Sequence, residues 1–200
     1  MKVKSEKLKA KSTLANFLFE AATLKRLQRT GWQILGDNQE SIAEHSFMVC
    51  VISFALSELM GANLEKVLLI ALFHDFSESR SGDIYKLADY YVTINTAKAN
   101  KDAFVSIPLL RRLVVLTDEY EKEQSLEAKI VHDADTLALM VELKQLIERG
   151  NLHAREWFEA NFHSLRIEQS QKLAKELRKT DSQEWWNLER LRIHKDMINR

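Results

Sequence analysis

Two histidines and an aspartate stand where a side chain is expected to meet the protein interior. His45 lies on the apolar stripe of a predicted helix, and a buried imidazole needs a partner or must lose its charge. The pair His74-Asp75 follows the most apolar run of the chain, residues 67–73, where that helix turns polar. A buried helix therefore delivers a ligand nitrogen and a carboxylate to its end. Taken alone, His45 fits a hydrogen-bonded core histidine better than a metal ligand.

Asp135 is the fourth candidate ligand. It shares the inward face of a later predicted helix with Val131, Ala138 and Leu139. A carboxylate on that face is costly unless it is paired, hydrogen-bonded or bound to a metal. Two neighbours are rival candidates: the helical spacing turns Asp133 to the other side, and His132 is interpreted as a surface residue, with a place behind the site as the alternative.

Two imidazoles and two carboxylates together form a ligand set for one divalent cation. The set suits Mn, Mg, Co, Fe or Ni, with positions left open for water and substrate. Zinc is an alternative, although four protein ligands closed around zinc would make a structural site. Cys50 is the single cysteine, which excludes a Cys-rich zinc site and an intramolecular disulfide.

The order and the flanks of these residues resemble a known family. The segments concerned are Arg29-Thr30-Gly31-Trp32, Glu44-His45-Ser46, His74-Asp75-Phe76-Ser77-Glu78, Gly82-Asp83-Ile84, and Glu119-Tyr120-Glu121 with Glu127-Ala128-Lys129 ahead of Asp135. Together they resemble the H…HD…D signature of HD-domain phosphohydrolases, and more narrowly the branch that contains the 5′-deoxynucleotidases. The resemblance covers residues 14–180.

The resemblance implies a role for each matching position. The implied metal ligands are His45, His74, Asp75 and Asp135. It further implies that Glu78 and Asp83 act on the reacting phosphate or its water. Glu78 lies one helical turn after His74, and Asp83 follows Gly82, where a tight turn could aim it at the site. The alternative for Glu78 is a solvated acid at a helix end, and the alternative for Asp83 is a helix cap or turn residue. Which of Glu78 and Asp83 acts as the general base stays open.

Arg29 and Trp32 are predicted to contact the substrate. A guanidinium fork suits phosphate oxygens, and a flat indole suits a sugar or a base. In the deoxynucleotidases an arginine followed directly by tryptophan contacts phosphate and helps to reject a ribose 2′-hydroxyl. Here Thr30-Gly31 intervene, so selectivity for deoxyribose stays open. The structural alternatives are a surface arginine and a core tryptophan.

The predicted activity is release of phosphate from (deoxy)nucleoside 5′-monophosphates with one divalent cation. A single metal is favoured because no histidine occurs between Asp75 and His132, where di-iron HD enzymes carry further ligands. One alternative is an HD protein that binds metal and nucleotide without turnover, and another is a helical scaffold without metal.

The resemblance also implies a homodimer. The C-terminal segment with Trp185, Trp186 and the apolar residues after them could face a second subunit or close the core.

Helix-period patterns recur along the chain and predict an all-α, single-domain helical bundle of the HD type with six or more helices. The predicted domain covers residues 1–200, with a core over 14–150 and C-terminal helices over 155–195 packed on it. Residues 41–44 fit a capping box, and Asn63 is a predicted cap of the next helix. Short helices joined by loops are expected over 79–124.

Composition limits the partners. Basic and acidic residues balance at 29 each, so the chain lacks the basic excess of a nucleic-acid-binding protein. The N-terminal residues do not resemble a signal peptide, and no run approaches the ~18 apolar residues of a membrane span. We therefore expect a cytoplasmic protein whose partner is a small-molecule nucleotide, with neither nucleic acid nor membrane.

Overall fold

The computed structural model describes residues 13–36 and 40–199, and these residues form an all-α fold. The α-helices are α1 Leu14–Thr23, α2 Trp32–Leu35, α3 Ile42–Met60, α4 Leu64–Phe73, α5 Glu78–Ser81, α6 Thr96–Phe104, α7 Arg111–Glu121, α8 Leu126–Glu148, α9 Ala154–Ser164, α10 Glu168–Lys179 and α11 Asn187–Ile198. Short 3-10 turns lie at Ala88–Tyr90, Pro108–Leu110 and Glu184–Trp186. The all-α prediction is confirmed, as is the alternation of short helices and loops over 79–124.

Helices α3, α4 and α8 pack on one another at the centre of the bundle. Their contact is apolar: Val49, Ile70 and Leu137, one from each helix, are fully buried in the same cluster. Helix α7 covers α4 and α8, while α9 and α10 cover α8. Burial of these large side chains supplies most of the driving force for folding, and it brings three helices that are distant in sequence together.

The starts of the two central helices are set by local side-chain bonds. Ser41 Oγ accepts the Glu44 N–H at 3.2 Å, and the Glu44 carboxylate accepts the Ser41 N–H at 2.7 Å, so the predicted capping box is confirmed. Asn63 Oδ1 accepts the Lys66 N–H at 3.1 Å at the start of α4, as predicted. Since His45 lies one residue after the capping box, its place in the first turn of α3 is defined.

A second apolar cluster holds the chain that follows α4. Phe17 of α1 stacks on Phe76 with ring centroids 5.2 Å apart, and Phe104 of α6 lies 5.0 Å from Phe76. Phe76 is only 2% exposed, so the turn after α4 is anchored on both sides. This anchoring positions His74 and Asp75, which immediately precede Phe76.

Helix α3 has the length and apolar composition of a membrane span, and among the described helices no other does. Within the bundle, 44% of its most apolar window is buried. A central core helix has the same character, so this is weak evidence for a membrane.

The C-terminal aromatic residues do not close the core. Trp185 is 83% exposed, and the described part of α11 has no buried residue. Of the two alternatives for this segment, core closure is therefore wrong, because the apolar side chains of α11 are exposed and not packed in the core. The second-subunit alternative stays a prediction.

Candidate metal centre

Three helices bring ligand-bearing side chains to one point. His45 projects from the first turn of α3, His74 ends α4, and Asp135 lies in the middle of α8. One ligand atom from each of the three lies within 4.8 Å of the other two. His45 Nε2 is 2.8 Å from Asp135 Oδ1, close enough for the imidazole N–H to donate to the carboxylate. The convergence therefore joins helices that are central to the fold.

Asp75 stands beside this cluster. Its Oδ2 lies 3.2 Å from His74 Nε2 and 3.9 Å from His45 Nε2. The same oxygen is 3.3 Å from a terminal nitrogen of Arg29. All four sequence-predicted ligands are thus adjacent, and Arg29 reaches them from the chain segment before α2.

His74 directs its Nε2 into the cluster. Its Nδ1–H donates to the Ala71 carbonyl at 2.8 Å, so Nε2 is the nitrogen that would bind a cation once its proton is displaced. Nε2 is buried, and although Asp75 Oδ2 lies 3.2 Å away, the two atoms do not meet the geometry of a hydrogen bond. A buried nitrogen without a well-formed bond is unfavourable unless a ligand satisfies it. The donor set of two imidazoles and two carboxylates, with this unsatisfied nitrogen at its centre, fits a divalent cation.

Burial and the neighbouring charges have opposite effects on the pKa of His74. Burial by itself lowers the pKa of the imidazole, but the neighbouring Asp75 and then Asp135 outweigh it and raise the pKa of His74 to about 9. For Asp135, burial raises the pKa while hydrogen bonding and attraction to His45 lower it below the ordinary range. The cluster is therefore strongly anionic on its carboxylate side and attracts positive charge.

The two rivals of Asp135 lie elsewhere. Asp133 is buried on the other side of α8, where its carboxylate accepts the N–H groups of Arg166 and Ile167 ahead of α10. The prediction that helical spacing turns Asp133 away is confirmed. The surface interpretation of His132 is wrong: its ring stacks on Tyr120 at 4.0 Å, and its Nε2–H donates to the Tyr120 carbonyl. Tyr120 in turn contacts the edge of His74, so His132 stands behind the site.

A pocket of about 630 Å³ opens beside the two carboxylate ligands, Asp75 and Asp135. Its lining combines acids, one arginine and several apolar or aromatic side chains. The lining includes Arg29, Asp75, Glu78, Asp83, Asp135, Ile34, Ile84, Tyr85, Leu87, Leu139, Trp157 and Asn161. A cavity of this size suits a small molecule with one anionic end and one flat, apolar end.

Glu78 and Asp83 both face this pocket but differ in their surroundings. Glu78 Oε2 is buried without a hydrogen-bond partner. Burial, reinforced by the charges of Asp75 and Asp83, raises the pKa of Glu78 to about 9. Asp83 Oδ2 instead accepts the Thr30 hydroxyl at 2.8 Å and the Thr30 N–H. Asp83 is therefore held in place by the residue after Arg29, and Glu78 is not.

Trp32 is placed differently from the predicted substrate wall. It is 2% exposed, and its indole N–H donates to Glu40 Oε2 at 2.9 Å. The structure therefore favours the core alternative for this residue, although Trp32 also lies at the pocket lining. A more accessible indole, Trp157 of α9, lies against Gly31 and forms part of the pocket wall.

Sequence reasoning missed Glu40 and Trp157, and it quoted Tyr120 within a motif without giving it a role. Glu40 carries no motif signal because it precedes a helix cap, a position where acids are common. Trp157 lies outside every motif quoted above. Nothing in the local spacing connects either residue to the ligands, since α9 reaches the pocket only by packing on α8.

Known proteins match the chain over most of its length. The HD domain family model matches residues 21–180. The 5′-deoxynucleotidase HDDC2 of Danio rerio is 30% identical over 142 residues, 68% of this chain and 70% of the relative. The 5′-deoxynucleotidase hdd1 of Schizosaccharomyces pombe is 32% identical over 155 residues, 70% and 75% of the two chains.

The fold is also similar to a solved structure. The PH0347 protein of Pyrococcus horikoshii OT3 superposes with a TM-score of 0.71 at 30% identity, covering 83% of this chain and 99% of that one. The matched regions include every candidate ligand position of the family model range. The chain therefore belongs to the HD-domain family, in the branch of the 5′-deoxynucleotidases that its motifs resemble.

Proposed function

We propose that this chain is a metal-dependent phosphohydrolase that releases phosphate from (deoxy)nucleoside 5′-monophosphates. The observation that carries the proposal is the convergence of His45, His74 and Asp135 within 4.8 Å, at a pocket that Asp75, Asp135 and the Arg29 guanidinium line. The named activity of the relatives from Danio rerio and Schizosaccharomyces pombe supports it.

One divalent cation (Mn, Co, Mg, Fe, Ni or Zn) would be held by the four predicted ligands. These ligands are His45, His74, Asp75 and Asp135. A cation bound there supplies charge to a phosphoryl oxygen and lowers the pKa of a bound water. The unsatisfied Nε2 of His74 and the imidazole–carboxylate mixture support this ligand set.

Arg29 is the residue that would bind and orient the phosphate. Its guanidinium lies 3.3 Å from Asp75 and lines the pocket, so a phosphate over the ligands would meet its fork. An arginine fork binds two phosphate oxygens at once and therefore fixes orientation as well as position. The apolar wall of Trp157 and Tyr85 lies on the same pocket and suits the nucleoside.

Glu78 and Asp83 divide the proton transfers. Glu78, whose pKa is raised to about 9 by burial and by neighbouring acids, carries a proton at neutral pH and would donate it to the leaving 5′-oxygen. Asp83 is fixed by Thr30 and would accept the proton of the attacking water. The products are a nucleoside and inorganic phosphate.

We further propose that the chain acts in the cytoplasm as a single-domain protein and forms a homodimer. The exposed apolar side chains of the C-terminal segment support the homodimer, among them Trp185, Leu188 and Leu191. The resemblance to the deoxynucleotidases supports it as well.

The test is phosphate release from a panel of ribo- and deoxyribonucleoside monophosphates with added Mn²⁺, Co²⁺ or Mg²⁺. We expect turnover that chelation abolishes and that His74→Ala lowers by at least about 100-fold, a loss typical of a damaged metal site. His153→Ala is the matched control, because His153 is exposed at the start of α9.

The same panel separates the alternatives. Nucleotide binding without phosphate release under any metal would favour a regulatory HD protein. Absence of stoichiometric metal by mass spectrometry, together with an unchanged His74→Ala variant, would favour a scaffold. Either result would refute the proposed activity.

A further inference from the structure

Glu40 lies between two residues that the proposed reaction uses. We propose that Glu40 is a positioning residue, whose carboxylate orients His45 towards the cation and Arg29 towards the phosphate. The inference rests on the proposed function and adds a residue to which neither the motifs nor the family match assigns a role.

The surroundings of the Glu40 carboxylate are the first argument. Its side chain is only 6% exposed. Oε2 accepts the Trp32 indole N–H at 2.9 Å and lies 3.9 Å from Arg29 Nε, while Oε1 lies 3.9 Å from His45 Nδ1. A buried carboxylate is costly unless several donors satisfy it, and Trp32 provides only one neutral hydrogen bond. The carboxylate oxygens of Glu40 can accept further hydrogen bonds, and the other donors near them are those of Arg29 and His45.

The tautomer of His45 is the second argument. Its Nε2 faces Asp135 and Asp75, so Nε2 is the atom that would bind the cation, and the ring proton must then lie on Nδ1. Nδ1 is buried and has no hydrogen-bond partner. The carboxylate of Glu40 lies beside it, with Oε1 3.9 Å from Nδ1. A shift of about 1 Å would bring Oε1 to hydrogen-bond distance. Metal-ligating histidines almost always donate their other N–H to such a group.

Arg29 is held by the same residue at two points. The Arg29 backbone N–H donates to the Glu40 carbonyl at 2.9 Å, which places the two residues side by side. Glu40 then attracts the guanidinium from one side while Asp75 attracts it from the other. One carboxylate therefore orients both a predicted metal ligand and the predicted phosphate ligand.

Glu40→Gln tests the proposal because it keeps the size of the side chain but leaves one oxygen where two are used. Calorimetric titration with Co²⁺ should show a metal dissociation constant raised roughly 10- to 100-fold, the usual effect of losing the partner of a ligating histidine. Titration of the Co²⁺-loaded protein with inorganic phosphate should also show weaker binding. Glu58→Gln is the matched control: it makes the same substitution at an exposed position of α3, so we expect the metal affinity of wild type.

Several outcomes would overturn the role of Glu40. A Glu40→Gln protein with wild-type metal affinity would do so, and so would equal losses in Glu40→Gln and Glu58→Gln, since equal losses indicate an effect unrelated to the buried carboxylate. If Glu40→Gln does not fold, Glu40→Asp replaces it, because aspartate keeps the charge on a side chain that is one methylene shorter. Wild-type metal affinity of Glu40→Asp would refute the proposal, and a metal affinity lowered more than about fivefold would support it.

The controls also separate this inference from the proposed function. A wild-type protein that binds no divalent metal, or releases no phosphate, overturns the activity and this role together. If the wild-type protein is active and the Glu40→Gln variant binds metal with the same affinity as wild type, only the role of Glu40 is overturned.

Discussion

Asparagine substitution of Asp133 and of Asp135 should affect different properties, although both residues lie on α8 two positions apart. The first should lower the stability of the fold, and the second should weaken metal binding. Asp133 accepts backbone N–H groups of Arg166 at 3.2 Å and of Ile167 at 2.8 Å. Both N–H groups lie within hydrogen-bond distance of Oδ2, so an asparagine oxygen in that place keeps both hydrogen bonds but not the charge. Each bond then falls from about 1.5–3 kcal/mol, the value for a charged acceptor, to about 0.5–1.5 kcal/mol. We therefore expect Asp133→Asn to lower the free energy of unfolding by about 2 kcal/mol. For a chain of this length that corresponds to a Tm lower by about 4–8 °C.

Asp135→Asn should instead act on metal binding. A metal present at about 100 times its dissociation constant stabilises the folded protein by about 2.7 kcal/mol, or about 5–10 °C in Tm. If loss of this carboxylate raises the dissociation constant about 100-fold, the same metal concentration adds only about 0.4 kcal/mol. The Asp133→Asn protein should keep the full metal-induced gain from its lower starting Tm.

Thermal unfolding with and without Mn²⁺, followed by circular dichroism, measures both effects in one experiment. The reasoning fails if Asp135→Asn keeps the metal-induced gain while Asp133→Asn loses it. That result would mean that the other face of α8 provides the ligand. An Asp133→Asn protein as stable as wild type would show that the charge of Asp133 adds nothing to its two amide contacts.

Three further predictions concern the pocket. Glu78→Gln should lower phosphate release at least about 100-fold, the smallest usual effect of losing a general acid, while calorimetry shows metal still bound; near-wild-type turnover would exclude the proton-donor role. Arg29→Lys should raise KM for nucleoside monophosphates about tenfold, because an ammonium cannot form the paired contact of a guanidinium; an unchanged KM in steady-state assays would remove Arg29 from phosphate binding. Metal affinity should fall about tenfold for each pH unit below 9, because Asp75 and Asp135 outweigh burial and raise the pKa of His74 to about 9, so that the cation must displace a proton. Calorimetric titrations between pH 6 and 8 measure this slope, and a flat profile would contradict it.

Local regularities of the sequence were sufficient for the helices and for the orientation of several ligands. The Ser41–Glu44 box, the His74-Asp75 pair at the end of an apolar helix and the turning of Asp133 away from Asp135 follow from helical periodicity and capping. These features depend on residues within about two helical turns of each other, so the linear order of side chains determines them.

The tertiary structure decided everything that depends on packing between distant segments. The packing of α3 on α8 brings His45 to 2.8 Å from Asp135. Contacts between other distant segments fix Asp83 on Thr30 and bury Trp32 on Glu40. The interpretation of His132 as a surface residue failed for the same reason, because Tyr120, which covers it, comes from α7. Such contacts depend on which apolar faces pack together and how far each helix is shifted along its neighbour, and one helix's own periodicity carries no information about either.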